Sequence, residues 1–136
     1  MSLQSDADRT FLALCLWREA RGEQKEGRLA IASSILNRIS SPTWSSNTVM
    51  GIIFQRLQYS SLTYASDPQL AVWPSDTDAV WKDCLTMADG VLARTITGPV
   101  GKADSYHDTS IKPPAWATPE KFVTQIGRLK FYRIGK

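Results

Sequence analysis

Trp17-Arg18-Glu19-Ala20-Arg21-Gly22-Glu23 places two carboxylates four residues apart, at the end of an apolar helix and around a glycine. Upstream, Phe11, Leu12, Leu14, Cys15 and Leu16 recur at spacings that fit a helix buried on much of its surface. The pattern predicts a helix capped by Asp6 or Asp8 and ended by Gly22 in the left-handed conformation. Glu19 then falls in the last turn, where unpaired carbonyls carry partial negative charge. That field disfavours an anion and pushes the carboxyl pKa upward, as a neighbouring Glu23 would also do. A carboxyl kept protonated near neutral pH is what a general acid needs. The plainer alternative is a charged helix end in which Arg18 and Arg21 neutralise both glutamates.

The run continues as Gly27-Arg28-Leu29-Ala30-Ile31-Ala32-Ser33-Ser34-Ile35-Leu36-Asn37-Arg38. Further blocks follow: Gln58-Tyr59-Ser60, Tyr106-His107, Pro114-Ala115-Trp116-Ala117, Ile126-Gly127 and Phe131-Tyr132. In this order, from Trp17 to Tyr132, they resemble the SleB-type cell-wall hydrolases, the family of spore-cortex-lytic enzymes and several phage lysins. One departure stands out. The family commonly carries a histidine two residues after the Ile-Gly pair, where this chain has Leu129. Whatever that histidine does cannot be carried over.

Composition agrees with a small enzyme. With 136 residues, 43% of them hydrophobic, the chain reads as one globular domain over 1–136, with residues 1–5 a disordered start or one left by cloning. Sixteen basic and thirteen acidic residues give a net charge of +3, too small to choose an anionic polymer as partner. Lys and Arg are scattered rather than striped along one helix, so no nucleic-acid partner is expected. There is no run of about eighteen apolar residues, so no stable membrane insertion is expected. Met1-Ser2-Leu3-Gln4 lacks the basic start and apolar run of a secretory signal. The expectation is accumulation in the cytoplasm with later release, as for a phage lysin, or a leader removed ahead of this chain. Cys15 and Cys84 read as buried free thiols. Two cysteines and one histidine are poor material for zinc, so neither a metal nor a cofactor is expected.

Helices come first along the chain. A second is predicted from Lys25 to Ser40, stopped by Pro42, with Leu29, Ala32, Ile35, Leu36 and Ile39 inward. A third runs from about Asn47 to Arg56. Gln58 to Trp73 forms a long polar-aromatic connection, of the length usually found in functional or poorly ordered loops. A fourth helix runs from Asp76 to Ala93, with Ala79, Val80, Cys84, Met87, Val91 and Leu92 inward. After Gly98-Pro99, β-prone pieces at Ala103-His107, Phe122-Ile126 and Leu129-Ile134 suggest a small antiparallel sheet. Helices followed by strands read as α+β. The resemblance adds a mainly helical, lysozyme-like architecture with the catalytic glutamate ending one helix at the edge of a cleft.

Cleaving a glycosidic bond requires protonation of the leaving oxygen, and Glu19 is the candidate acid. A hydrolase normally adds a second carboxylate, for which Glu23, Asp67, Asp104 and Asp108 are available. Glu23, one helical turn from Glu19, cannot reach the opposite face of a sugar and suits tuning the acid or anchoring the loop. Without a convincing second carboxylate, a lytic transglycosylase acting on the MurNAc–GlcNAc bond of peptidoglycan glycan strands becomes the leading reading, which the resemblance also favours. A hydrolytic muramidase and a non-catalytic glycan-binding or structural module are the alternatives. Gln58 and Ser60 offer neutral hydrogen-bonding groups for sugars. Tyr106, Trp116, Tyr59 and Tyr64 offer flat surfaces, although each could equally be packing. His107 is placed at the site because Tyr106-His107 falls where the family has an aromatic-His pair. A monomer is expected.

Overall fold

The computed structural model describes residues 2–41, 43–44, 46–55, 59–95 and 98–136. Helix α1 (Leu3–Ala20) is the axis of the molecule, packed against α2 (Lys25–Ile39), α3 (Val49–Ile53) and α5 (Ala79–Leu92). Every residue from Leu12 to Arg18 is buried, because helices surround α1 on more than one side. A one-faced stripe is therefore not what its second half needs. Between α3 and α5 the chain makes a short helix α4 (Ser60–Thr63) and a 3-10 turn at Pro68–Ala71. The long connection is thus built rather than loose.

The start of α1 departs from expectation. Ser2, not Asp6 or Asp8, is the N-cap; its hydroxyl accepts from the Ser5 N–H at 3.1 Å, and Ser5 returns the bond. Residues 2–5 form the cap and first turn. The end differs as well. Arg21 caps α1 in right-handed geometry, donating its N–H to Trp17 at 3.0 Å, and Glu23 donates to Ala20. Gly22 lies outside the left-handed region. Helix α2 ends at Ile39, and Pro42 lies outside the described residues. Helix α3 is shorter than predicted because Thr48 caps it late, accepting from Gly51 at 3.1 Å. Helix α5 begins after Asp78, whose carboxylate accepts from Trp81 at 3.0 Å, leaving Ala79 exposed.

The C-terminal part is a three-stranded antiparallel sheet in the order β1-β3-β2, from β1 (Ser105–Asp108), β2 (Phe122–Ile126) and β3 (Leu129–Tyr132). Strands β2 and β3 join through a two-residue hairpin with Gly127 at φ +56°, a conformation glycine adopts without steric cost. Phe131, fully buried on β3, sits opposite Tyr106 and packs on it at 5.6 Å between ring centres. The fold is α+β, a helical core with one small sheet laid against α2. Cys15 and Cys84 are buried free thiols, and among the described residues no helix is long and apolar enough to cross a membrane.

Candidate active site

Glu19 is the penultimate residue of α1 and lines a cleft of ≈ 550 Å³. The cleft is lined by Tyr59 and Tyr64, by Tyr106 from β1, and by Ile111, Pro114 and Trp116 from the loop after β1. Arg38 and Trp44 line it as well. Among the described residues lining this cleft, Glu19 is the only carboxylate. The Tyr106 hydroxyl donates to Glu19 Oε1 at 3.1 Å. Strand alternation explains the pairing: Tyr106 points toward α1, while its neighbour His107 points to the opposite side of the sheet.

Burial is the largest influence on Glu19, raising its carboxyl pKa above the usual value. Hydrogen bonding from Ser61 and Tyr106 offsets part of that rise, and the charge of Asp67 adds to it. The Ser61 hydroxyl makes no contact of good hydrogen-bond geometry, so the Tyr106 bond is the better defined of the two. The like charge that acts on Glu19 is therefore Asp67, not Glu23, and water exclusion outweighs both. Asp67 caps the 3-10 turn by accepting from the Gln69 N–H at 2.8 Å.

Neither neighbouring arginine neutralises Glu19. Buried Arg18 donates to the carbonyls of Ser61, Leu70 and Val72 at 3.1–3.2 Å, tying the segment after α4 to α1. Arg21 donates to Gln69 at 2.7 Å and stacks over Trp17 at 4.3 Å. Glu23 lines a second cavity of ≈ 490 Å³ with Gly27, Ile126 and Arg128, and pairs with Arg128 at 3.1 Å. It anchors the turn after α1 to the β2-β3 hairpin and takes no part in the cleft.

The other expected site residues divide. Trp116 lines the cleft. His107 stands behind it: its ring lies 6.1 Å from Trp116 and 5.5 Å from Tyr132, its Nε2 is 3.2 Å from the Tyr132 hydroxyl, and Nδ1 is 3.0 Å from the Asp108 carbonyl. At 5% exposure it packs behind Trp116 and is not among the residues lining the cleft. Gln58 and the Ser60 side chain lie outside the described residues. Leu129 is buried on β3, beside Gly27, and lines no part of the cleft. Asp104 is fully buried and occupied by Ile134, Gly135, Ser105, Trp44 and Arg133. Asp108 accepts from the Ser110 N–H at 2.8 Å, which holds its pKa below the usual range, and lies 3.5 Å from Arg128.

Arg38 is the wall residue that sequence reasoning left without a role. Its Nε donates to the Asp104 carbonyl at 2.6 Å and its guanidinium lies 4.0 Å from the Trp44 ring centre and 5.3 Å from that of Tyr59. The available signal was its place closing the Leu36-Asn37-Arg38 block. Tyr59 stands at φ +45°, an uncommon conformation for a residue with a side chain. Among the described residues no three His, Cys, Asp or Glu side chains gather closely enough to hold a metal ion.

The chain matches the family model described as Cell Wall Hydrolase over residues 22–132, beginning directly after the turn that carries Glu19. It is 34% identical over 128 residues to a spore cortex-lytic enzyme of Bacillus subtilis (strain 168), covering 91% of this chain and 37% of the relative. A spore cortex-lytic enzyme of Halalkalibacterium halodurans is 31% identical over 126 residues, covering 91% and 34%. The chain therefore spans just over a third of the length of these curated relatives. In three dimensions it is similar to the catalytic domain of the germination-specific lytic transglycosylase SleB from Bacillus anthracis. That match has a TM-score of 0.71 and 27% identity, over 98% of this chain and 97% of the other. The catalytic domain of the Bacillus cereus SleB protein matches with a TM-score of 0.72 and 27% identity, over 98% and 94%. With its sequence matched across most of its length and its fold matched end to end, this chain belongs to the cell wall hydrolase family.

Proposed function

We propose that this chain is a peptidoglycan-cleaving domain that acts at the bacterial cell wall as a lytic transglycosylase, breaking the MurNAc–GlcNAc bond with Glu19 as its single acid and base. The observation that carries this reading is the cleft itself: one carboxyl, partly withdrawn from water, with no second carboxylate among the described lining residues. The protonated Glu19 gives its proton to the glycosidic oxygen as the bond from that oxygen to the muramic C1 breaks. The C6 hydroxyl oxygen of the same muramic residue then bonds to C1, and its proton passes to the Glu19 carboxylate. The acid is restored, and no protein nucleophile or activated water is consumed. The similarity to a SleB catalytic domain described as a lytic transglycosylase supports the same reading.

Product analysis tests it. Digested peptidoglycan should carry 1,6-anhydromuramic ends, lighter by one water than hydrolytic ends and inert to borohydride, as read by mass spectrometry. Reducible muramic ends as the main product would instead require a second carboxylate. Asp67 would be the first to test, because it is the carboxylate whose charge reaches Glu19.

Tyr106→Phe removes a donor that favours the Glu19 anion, so the Glu19 pKa should rise further. A general acid works while protonated, so the alkaline limb of kcat/KM against pH should move upward. A limb that stays put or moves down would mean that this bond does not tune the acid.

A further inference from the structure

Tyr59 and Tyr64 line the cleft, and the chain runs on from them toward α5. After the 3-10 turn at Pro68–Ala71 the chain presents Trp73, at 66% exposure the most exposed aromatic side chain among the described residues. A lone exposed indole carries no message by itself. This one is held. The Arg18 guanidinium carbon lies 4.6 Å from the centre of the Trp73 ring and backs one of its faces. The same guanidinium, buried to 7% exposure, donates to Ser61, Leu70 and the Val72 carbonyl immediately before Trp73. The ring is thus fixed on one side and open on the other. Little further side-chain freedom is lost when something stacks on it.

Its position relative to the acid follows from α1. Arg18 directly precedes Glu19, and successive side chains on a helix diverge by about 100°. The indole therefore hangs from the same turn as the acid but beside the cleft rather than in it. Asp67 lies within electrostatic reach of both Arg18 and Glu19, so the 67–73 segment bridges the two. A rigid, flat apolar face suits the apolar C–H face of an uncharged pyranose ring. We propose that the open face of Trp73 is an outer sugar-stacking platform, holding a pyranose ring of the glycan strand outside the catalytic cleft. This inference rests on the glycan reading above.

The test separates the two. Wild type and Trp73→Ala are compared on long peptidoglycan glycan strands and on a tetrasaccharide, with Trp73→Tyr as the ring-keeping variant. Truncating a stacking tryptophan at a binding centre usually costs on the order of tenfold in affinity. The preference for long over short substrate, taken as a ratio of kcat/KM values, should fall about tenfold in Trp73→Ala, through KM, and largely return in Trp73→Tyr. Co-sedimentation with purified sacculi on the Glu19→Gln background should weaken to a similar degree when Trp73→Ala is added. If wild type cleaves the strands but Trp73→Ala keeps both its length preference and its sedimentation, the platform is overturned and the glycan reading stands. If wild type cleaves neither substrate and Glu19→Gln does not sediment, the glycan reading fails and the platform with it.

Discussion

Glu19→Gln should reduce lysis of purified peptidoglycan by about 10²–10⁴-fold or more, the usual loss when a general acid is removed. The substitution keeps the length of the side chain and an oxygen that can accept from Tyr106, so geometry survives while the transferable proton does not. The fold should not suffer. Because burial raises the Glu19 pKa in the folded protein, the folded state holds that proton more tightly than the unfolded chain does. Stability contributed by this group is then greatest at acid pH and falls as pH rises from the unfolded pKa through the folded one. Above the unfolded pKa, the raised folded pKa makes Glu19 a net cost to stability that a neutral glutamine does not carry. Glu19→Gln should therefore melt at the same temperature as wild type or above it at pH 7. More than about a tenth of wild-type lysis in a folded Glu19→Gln protein, far above what loss of a general acid leaves, would refute the assignment.

Asp104→Ala should be the most destabilising single change at the cleft. Asp104 is fully buried and accepts from the Ile134 and Gly135 N–H groups at 3.0 and 2.8 Å, from Ser105 at 3.2 Å and from Trp44 Nε1 at 3.3 Å, with Arg133 3.4 Å away. Removing the carboxylate leaves those donors without a partner, and breaking a buried charged contact of this kind costs about 3–5 kcal/mol. For a domain of this size that corresponds to a fall in melting temperature of roughly 10–20 °C. The same change should loosen Trp44 and the Arg38 wall of the cleft, so activity should fall at temperatures where the protein is still folded. A thermal melt within about 3 °C of wild type, under about 1 kcal/mol by the same conversion, would show that the clamp is dispensable.

The sequence by itself determined the local elements and the place of Glu19 among them. Apolar spacing before Glu19 set α1 and placed the carboxyl in its last turn; the Lys25-to-Ile39 pattern set α2; Gly127 between two β-prone runs set the hairpin. Each depends on neighbours a few residues away, where periodicity and capping act. The ordered blocks from Trp17 to Tyr132 pointed to the family for the same reason: they are short local signatures. What surrounds the acid was decided only in three dimensions. Arg18 and Arg21 could have paired with Glu19 and Glu23 from where they stand in the chain. They turn instead toward a segment some fifty residues away, because an α-helix sends successive side chains in different directions. Asp67 rather than Glu23 became the charge felt by Glu19, Asp104 became a clamp for the C-terminal residues, and His107 became the support of Trp116. Their roles turn on water exclusion and on partners such as Ile134, Gly135 and Tyr132, which only folding brings into contact. Water exclusion at one carboxyl is a property of the packed whole, and no spacing of residues along the chain contains it.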